Sequence, residues 1–337
     1  MISANNNEKS TVDASIVINV YNQLYSLLLT IKALNEQDYT GTMEIIVCDD
    51  GSAQNLIDHV RQSMENSSII IKYIWQQDKG MRETVSFNNG IYLARGKYVI
   101  FLAGDMVPAL DFVRKHVEAH TKEKLIVAGN RNWRGYINKQ IFEKLNSLPS
   151  KLFVETLESN WETDDSSKKR EKGEVQIRSK WLSTQDTWRA AFACNLSIEK
   201  TPDLFFDEKY LGWGNYDQEL ALRLAKKGYE TVYLDNIHAY HLETQQVVAN
   251  MFRTKKQTHI INYMKNTCYF FDKYKNLDVR ETYMGFAKFV LDEKTNEWNV
   301  IPSPESYTDK ELELKVKQIR TWLKKENYYP ETINALN

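Results

Sequence analysis

The run Tyr98 to Leu102, Tyr-Val-Ile-Phe-Leu, most constrains what this chain can fold into. It is short, continuously apolar and rich in β-branched and aromatic side chains, the pattern of a strand buried on both faces. It stops at Ala103-Gly104-Asp105. Gly104 lets the backbone turn or approach a ligand closely. Asp105 then stands as a carboxylate at the carboxyl end of a central strand, the edge where open α/β sheets bind ligands. Pro108 stops the strand and suits the first turn of a following helix. Gly and Asp are also ordinary turn residues, so this segment alone leaves a ligand edge and a plain turn both open.

The rest of the chain repeats the arrangement. Residues 15–20, 44–48 and 69–75 read as strands, and the helical spacing of Leu24, Leu27, Leu28, Ile31 and Leu34 predicts a helix after the first. Further helices are expected over 56–64, 82–94 and 109–120, with another strand at 125–128. Strands alternating with helices predict an α/β fold, a mostly parallel central sheet flanked by helices. Residues 1–13 read as a flexible polar tail. Residues 161–178, which include Asp164-Asp165-Ser166-Ser167-Lys168-Lys169-Arg170, read as an exposed, mobile loop, either simply solvated or a lid over the site. Asp217 starts a helix that Gly228 caps, and a short strand at 231–234 precedes His238 and His241. Residues 244–337 read as a mostly helical, charged C-terminal appendage with no chemical role assigned.

The balance of 44 basic and 45 acidic residues, a net charge of -1, argues against nucleic acid as the main partner. The 3 cysteines, Cys48, Cys194 and Cys268, are far apart and form no CxxC pair, which disfavours a disulfide framework or a zinc knuckle. The first ten residues show no apolar signal segment, and no apolar run reaches membrane-spanning length. The expectation is a cytoplasmic protein without a transmembrane segment, peripheral attachment to the inner face of a membrane staying open.

Polar clusters follow the apolar strands at Asn19 to Asn22, at Asp49-Asp50 and at Asp105. A parallel sheet brings these three to one edge, which suits a nucleotide diphosphate. Asp50 is placed to accept from a base N–H, and Asp105 to hold Mg²⁺ or Mn²⁺ bridging the diphosphate oxygens. A histidine as a further ligand would favour Mn²⁺. Each residue also has an ordinary reading. Asp-Gly is a turn signal, a carboxylate is favoured at a helix start such as Asp217, a single histidine such as His241 is often structural, and Trp213 suits a core.

Taken in order, these residues resemble the family 2 glycosyltransferases of the GT-A fold over about residues 14 to 243. Residues 15–22 look like that family's opening strand and loop, and 44–52, Glu-Ile-Ile-Val-Cys-Asp-Asp-Gly-Ser, like its base-binding turn. Residues 75–82 with Asn88 and Gly90 resemble its diphosphate and sugar segment. Residues 101–106 stand where its Asp-x-Asp metal motif would be, and 212–219, Gly-Trp-Gly-Asn-Tyr-Asp-Gln-Glu, look like the Trp-Gly-x-Glu-Asp segment of galactosyltransferase-like C-terminal regions. The resemblance implies a nucleotide-binding half over 14–130 and an acceptor half over 131–243. It implies a nucleotide-sugar donor, UDP-linked, contacted by Val20, Tyr21, Asn22, Asp50, Arg82, Asn88, Gly104 and Asp105. It further implies Mn²⁺ or Mg²⁺ on Asp105 and His241, sugar or acceptor contacts from Trp213, Gly214 and Tyr216, and Asp217 as general base of an inverting transfer. The acceptor would be a glycan, lipid-linked or protein hydroxyl, in polysaccharide biosynthesis. A place at a helix N-terminus is expected to keep Asp217 ionised at neutral pH.

Two positions depart from the pattern. Ala103 replaces the first Asp of the metal motif, and Tyr216 replaces the Glu before the base. Altered donor choice or weaker metal dependence is expected. The same departures support an alternative, a member that binds a nucleotide sugar or glycan without turnover. A nucleotidyltransferase is disfavoured, because Tyr21-Asn22-Gln23 offers neither the glycines nor the lysine of a phosphate loop.

Overall fold

The computed structural model describes residues 11–53, 55–159, 165–184, 186–244, 257–274, 286–301 and 308–328, with the backbone of 2–3. The chain divides into two compact units, Met1–Glu208 with Asp217–Val247, and Lys209–Tyr216 with Val248–Asn337.

The first unit holds a nine-stranded sheet. In chain order its elements are β1 (Ile2–Ser3), β2 (Val12–Val20), α1 (Leu24–Asn35), β3 (Met43–Asp49), α2 (Leu56–Glu65), β4 (Ile70–Trp75), α3 (Glu83–Leu93), β5 (Gly96–Ala103) and β6 (Met106–Pro108). There follow α4 (Phe112–Ala119), β7 (Leu125–Ile137), α5 (Lys139–Ser147), α6 (Ser150–Glu158), α7 (Asp165–Leu182), a 3-10 turn (Thr187–Ala190), β8 (Asn195–Glu199), α8 (Tyr216–Ala225) and β9 (Glu230–Thr244). The strand order is β1-β4-β3-β2-β5-β8-β7-β9-β6.

The expected parallel sheet is present in β4, β3, β2 and β5. Beyond β5 the sheet is mixed, because β8 runs antiparallel to both β5 and β7, and β6 antiparallel to β9. Burial on both sheet faces explains the unbroken apolar runs. Ile16, Ile18, Val47, Ile100 and Leu102 meet Leu27 and Ile31 of α1 and Val60 and Met64 of α2 on one face. On the other, Phe87 of α3 packs edge-on against Phe101, with ring centroids 5.3 Å apart. Gly90 is required there, since a Cβ would lie 2.3 Å from Val17 Cγ1.

Four expectations need correction. Of the loop expected over 161–178, residues 161–164 lie outside the described residues, and the remainder is the helix α7. Its composition lacks an apolar stripe, but it is rich in Lys, Glu, Arg and Gln, which favour helix, and its inward face docks through ion pairs. The short strand expected at 231–234 is the fifteen-residue β9, which carries His238 and His241. The strand expected at 125–128 likewise continues to Ile137. Both extensions mix polar residues with scattered apolar ones, so neither shows the continuous apolar run that marks the central strands. Of the expected tail, residues 12–13 begin β2 and residues 4–10 lie outside the described residues.

The second unit contains α9 (Gln257–Lys273), a 3-10 turn (Phe286–Lys288), the hairpin β10 (Phe289–Asp292) and β11 (Glu297–Val300), and α10 (Asp309–Lys325). Met264, Cys268, Phe286, Phe289, Trp298, Ile319 and Leu323 form its own core. Thr308 and Glu311 close a reciprocal capping box at the start of α10. Among the described residues no helix is long and apolar enough to cross a membrane.

Candidate functional site

The strand register assembles the site. Val20 lies opposite Asp49, and Asn19 opposite Ala103, so the carboxyl ends of β2, β3 and β5 finish level. Tyr21, Asn22, Asp50, Gly104 and Asp105 therefore reach one edge of the sheet. Asp49 is structural: it accepts from Ser52 N–H at 2.8 Å and from the Tyr73 hydroxyl. Gly51 turns there with φ 89°, and a Cβ would lie 2.4 Å from Asp78 N. Asn22, also left-handed with φ 53°, joins the two loops. Its N–H donates to Ser52 Oγ at 2.8 Å, and its side-chain oxygen accepts from Ala53 N–H at 2.9 Å. Tyr21 donates to Asp78 at 3.2 Å.

Asp50 is buried and accepts from the Gln76 side chain and, at 2.7 Å, from Arg82 N–H. Burial raises its pKa above the ordinary carboxylate value, and those two bonds oppose the rise. A carboxylate has about four acceptor positions, so these contacts leave capacity for a ligand. The Arg82 guanidinium donates to Gln77 O at 2.6 Å. Asn88, expected at the donor, has its amide engaged inside the protein. It donates to Phe206 O and Glu208 Oε1, both at 2.9 Å, and accepts from Phe206 N–H at 2.7 Å. Gly104 is required by close packing, since a Cβ would meet Val20 at 2.9 Å.

Asp105 and His241 come together through the antiparallel β6–β9 pair, where Met106 faces His241 and Leu242 N–H donates to Asp105 O at 2.8 Å. His241 Nε2 lies 3.0 Å from Asp105 Oδ2, and the two residues are 5% and 6% exposed. Gln23 Nε2 donates to the same oxygen at 2.8 Å. Burial pushes the Asp105 carboxyl up, but His241 and the Arg131 guanidinium outweigh it and hold the pKa below the ordinary value. His241 Nδ1 is buried with no hydrogen-bond partner among the described residues. The Trp133 ring stands edge-on to the imidazole, with centroids 4.2 Å apart.

A carboxylate oxygen and the imidazole Nε2 3.0 Å apart are a donor set that suits a divalent transition-metal cation, which would take the place of their direct contact. Among the described residues no third His, Cys, Asp or Glu completes the set. A cation there would draw its other ligands from substrate oxygens and water.

One face of α7 borders this region. Glu174 pairs with Arg131 at 2.6 Å and with Arg178 at 2.8 Å. Arg178 is fully buried, donates to Gly129 O at 2.7 Å and lies over the Phe192 ring at 4.1 Å. Glu171 approaches Arg134 at 3.5 Å, and Arg170 approaches Glu243 at 3.7 Å. Buried charges of this kind must be paired, and here they are.

Asp217 lies in the first turn of α8. Its carboxylate accepts from Gln218 N–H at 2.8 Å and from Ala193 N–H at 3.4 Å. Burial nevertheless raises its pKa to about 6, against the backbone donors and Arg178. The helix N-terminus was expected to keep this group ionised at neutral pH; desolvation is the larger effect and acts against it. The group stays mostly ionised at neutral pH, within one pH unit of titration.

Trp213, Gly214 and Tyr216 belong to the second unit. Gly212, Gly214 and Asn215 all have positive φ, at 76°, 108° and 64°. Trp213 is half-buried and stacks on Tyr263, with centroids 5.8 Å apart. Sequence reasoning missed Gln23, Arg131, Trp133, Glu174 and Arg178. Gln23 lies in the loop Tyr21-Asn22-Gln23 that was found, but was given no role there. The others lie on segments whose charge concealed their regular structure.

The glycosyl transferase family 2 model matches residues 15–182. The chain is similar to a hyaluronan synthase of Pasteurella multocida, 29% identical over 251 residues, covering 70% of this chain and 25% of that one. It is also similar to a chondroitin synthase of Escherichia coli, 28% identical over 249 residues, covering 68% of this chain and 34% of that one. It thus spans about a quarter to a third of the length of these relatives. Among solved structures, GalNAc-T7 with UDP, GalNAc and Mn²⁺ superposes with a TM-score of 0.54 at 11% identity, covering 95% of this chain and 55% of that one. S. aureus TarS 1-349 in complex with UDP-GlcNAc gives a TM-score of 0.50 at 13% identity, covering 81% of this chain and 70% of that one. At such identities the structural likeness shows the fold. The stretch that matches the family 2 model, residues 15–182, is just under half of the chain, and the fold is a GT-A fold.

Proposed function

We propose that this protein transfers a sugar from a nucleotide-diphosphate donor, UDP-linked, to a hydroxyl of a glycan acceptor in polysaccharide biosynthesis, with inversion at the anomeric carbon. The observation that carries the reading is the level finish of β2, β3 and β5, with Asp50 and the Asp105–His241 pair at that edge. Similarity to a hyaluronan synthase and a chondroitin synthase, and to solved folds in complex with UDP or UDP-GlcNAc, supports the donor class.

Asn22 and Asp50 form the nucleotide end, where Asp50 accepts from a base N–H with its remaining lone pairs. Asp105 and His241 would hold Mn²⁺ or Mg²⁺, which supplies positive charge for the diphosphate oxygens and the departing nucleotide. Arg82 lies near the diphosphate. Asp217 takes the proton of the acceptor hydroxyl as its oxygen attacks the face opposite the nucleotide. Its raised pKa suits a base that must both accept a proton and be ionised near neutrality. Trp213 offers an apolar platform to a sugar ring.

Ala103 and Tyr216 favour a second reading, nucleotide-sugar binding without turnover. A panel of sugar nucleotides, each offered with Mn²⁺ and with chelator, tests both. Metal-dependent nucleotide release from one or two donors is expected. Binding without release from any donor, with glycan acceptors supplied, would overturn the transferase reading in favour of the second.

A further inference from the structure

The second unit has no chemistry of its own in the sequence, yet α9 meets every residue of the loop Gly212–Asn215. Asn266 Nδ2 donates to Trp213 O at 3.2 Å and to Gly212 O at 3.5 Å. Asn215 Nδ2 donates to Thr267 Oγ1 at 2.8 Å. Tyr263 stacks on the Trp213 ring and also hydrogen-bonds Thr267.

The glycines are dictated by the same helix. A Cβ on Gly212 would lie 2.4 Å from the Asn262 side chain, and one on Gly214 would lie 2.7 Å from the Tyr263 ring. Asn266 and Thr267 are 3% and 0% exposed, in the interior of a helix. Burying such polar groups is unfavourable unless they are bonded, and α9 does not need either for helix or core. Asn266 finds its partners in the loop, and Thr267 has one there, Asn215, beside Tyr263 on its own helix.

We infer that the second unit is the scaffold of the sugar-facing loop, and that Tyr263, Asn266 and Thr267 are positioning residues that hold Trp213 in place for substrate. The role given to Trp213 rests on the transferase reading. The positioning itself does not.

Hydrogen exchange of the full chain, with Thr267→Val and Asn266→Ser, separates the two. Thr267→Val removes its bond at nearly constant volume, and Asn266→Ser removes the amide donor with a shorter polar side chain. Amides of residues 212–216 are expected to exchange about tenfold faster, the equivalent of one lost hydrogen bond. The exchange of α3 and the melting temperature should be retained. With a working donor and acceptor, KM for the acceptor should rise about tenfold while nucleotide affinity holds. Unchanged loop exchange in both variants would overturn the inference. So would loosening spread over the whole second unit, which would make these residues supports of the core. If no donor turns over, the transferase reading fails, while the exchange result still decides the positioning.

Discussion

Asp105 is a buried carboxylate and Asp217 a half-buried one, both in the first unit, and their surroundings drive them in opposite directions. Asp105 ends a parallel strand and faces His241 and, at longer range, Arg131, which together outweigh burial and keep it an anion. Asp217 opens a helix with backbone N–H groups and a more distant Arg178, and burial wins, raising it to about 6. Two carboxylates pushed apart by environment suit two roles. One is an anion suited to a cation, and the other is a base near its working pH. Glu174 links the two regions, because it pairs with both Arg131 and Arg178.

The difference can be broken at each end. Asp217→Asn keeps the shape and removes the base. Turnover is expected to fall by about 10²–10⁴ while nucleotide binding survives. Retention of full turnover would remove Asp217 from the chemistry. Glu174→Gln leaves Arg131 and Arg178 short of a counter-charge in a buried setting. It is expected to destabilise the fold by about 3–5 kcal/mol, read from denaturant unfolding. A loss below about 1 kcal/mol would show that α7 docks by something other than charge, since exposed ion pairs contribute no more than that. The smallest expected change comes from Gln23→Leu, which removes the group that orients Asp105. Activation by Mn²⁺ should then need about 10–100-fold more metal, as for other residues that orient a ligand. An unchanged metal requirement would leave Gln23 with a packing role alone.

Much of this was legible in the sequence, and the reasons are physical. Tyr98–Leu102 and the Ile16–Ile18 centre of the first strand announce themselves because strands buried on both faces are apolar in near-continuous runs. The carboxylates that follow them then fall on one edge by topology. The helix α7 was not legible. Its partners, Arg131, Arg134 and Glu243, lie far away in the chain, and a helix docked by charge has the same composition as a solvated loop. The pKa of Asp217 was also out of reach. A helix start argues for a low value, and only the three-dimensional packing around the carboxyl reveals the desolvation that overrides it. The role of α9 is similar: Asn266 and Thr267 are ordinary helix residues until the loop they hold is seen.

The pH dependence of turnover under saturating metal tests the central claim most directly. The base must be deprotonated, and its pKa is raised to about 6, so the active form is lost as pH falls through that value. Turnover is expected to be level above about pH 7 and to drop about tenfold per pH unit below 6. The residual turnover of Asp217→Asn should lack that limb. A limb near pH 6 that persists unchanged in Asp217→Asn would contradict the account, because another group would then be the base.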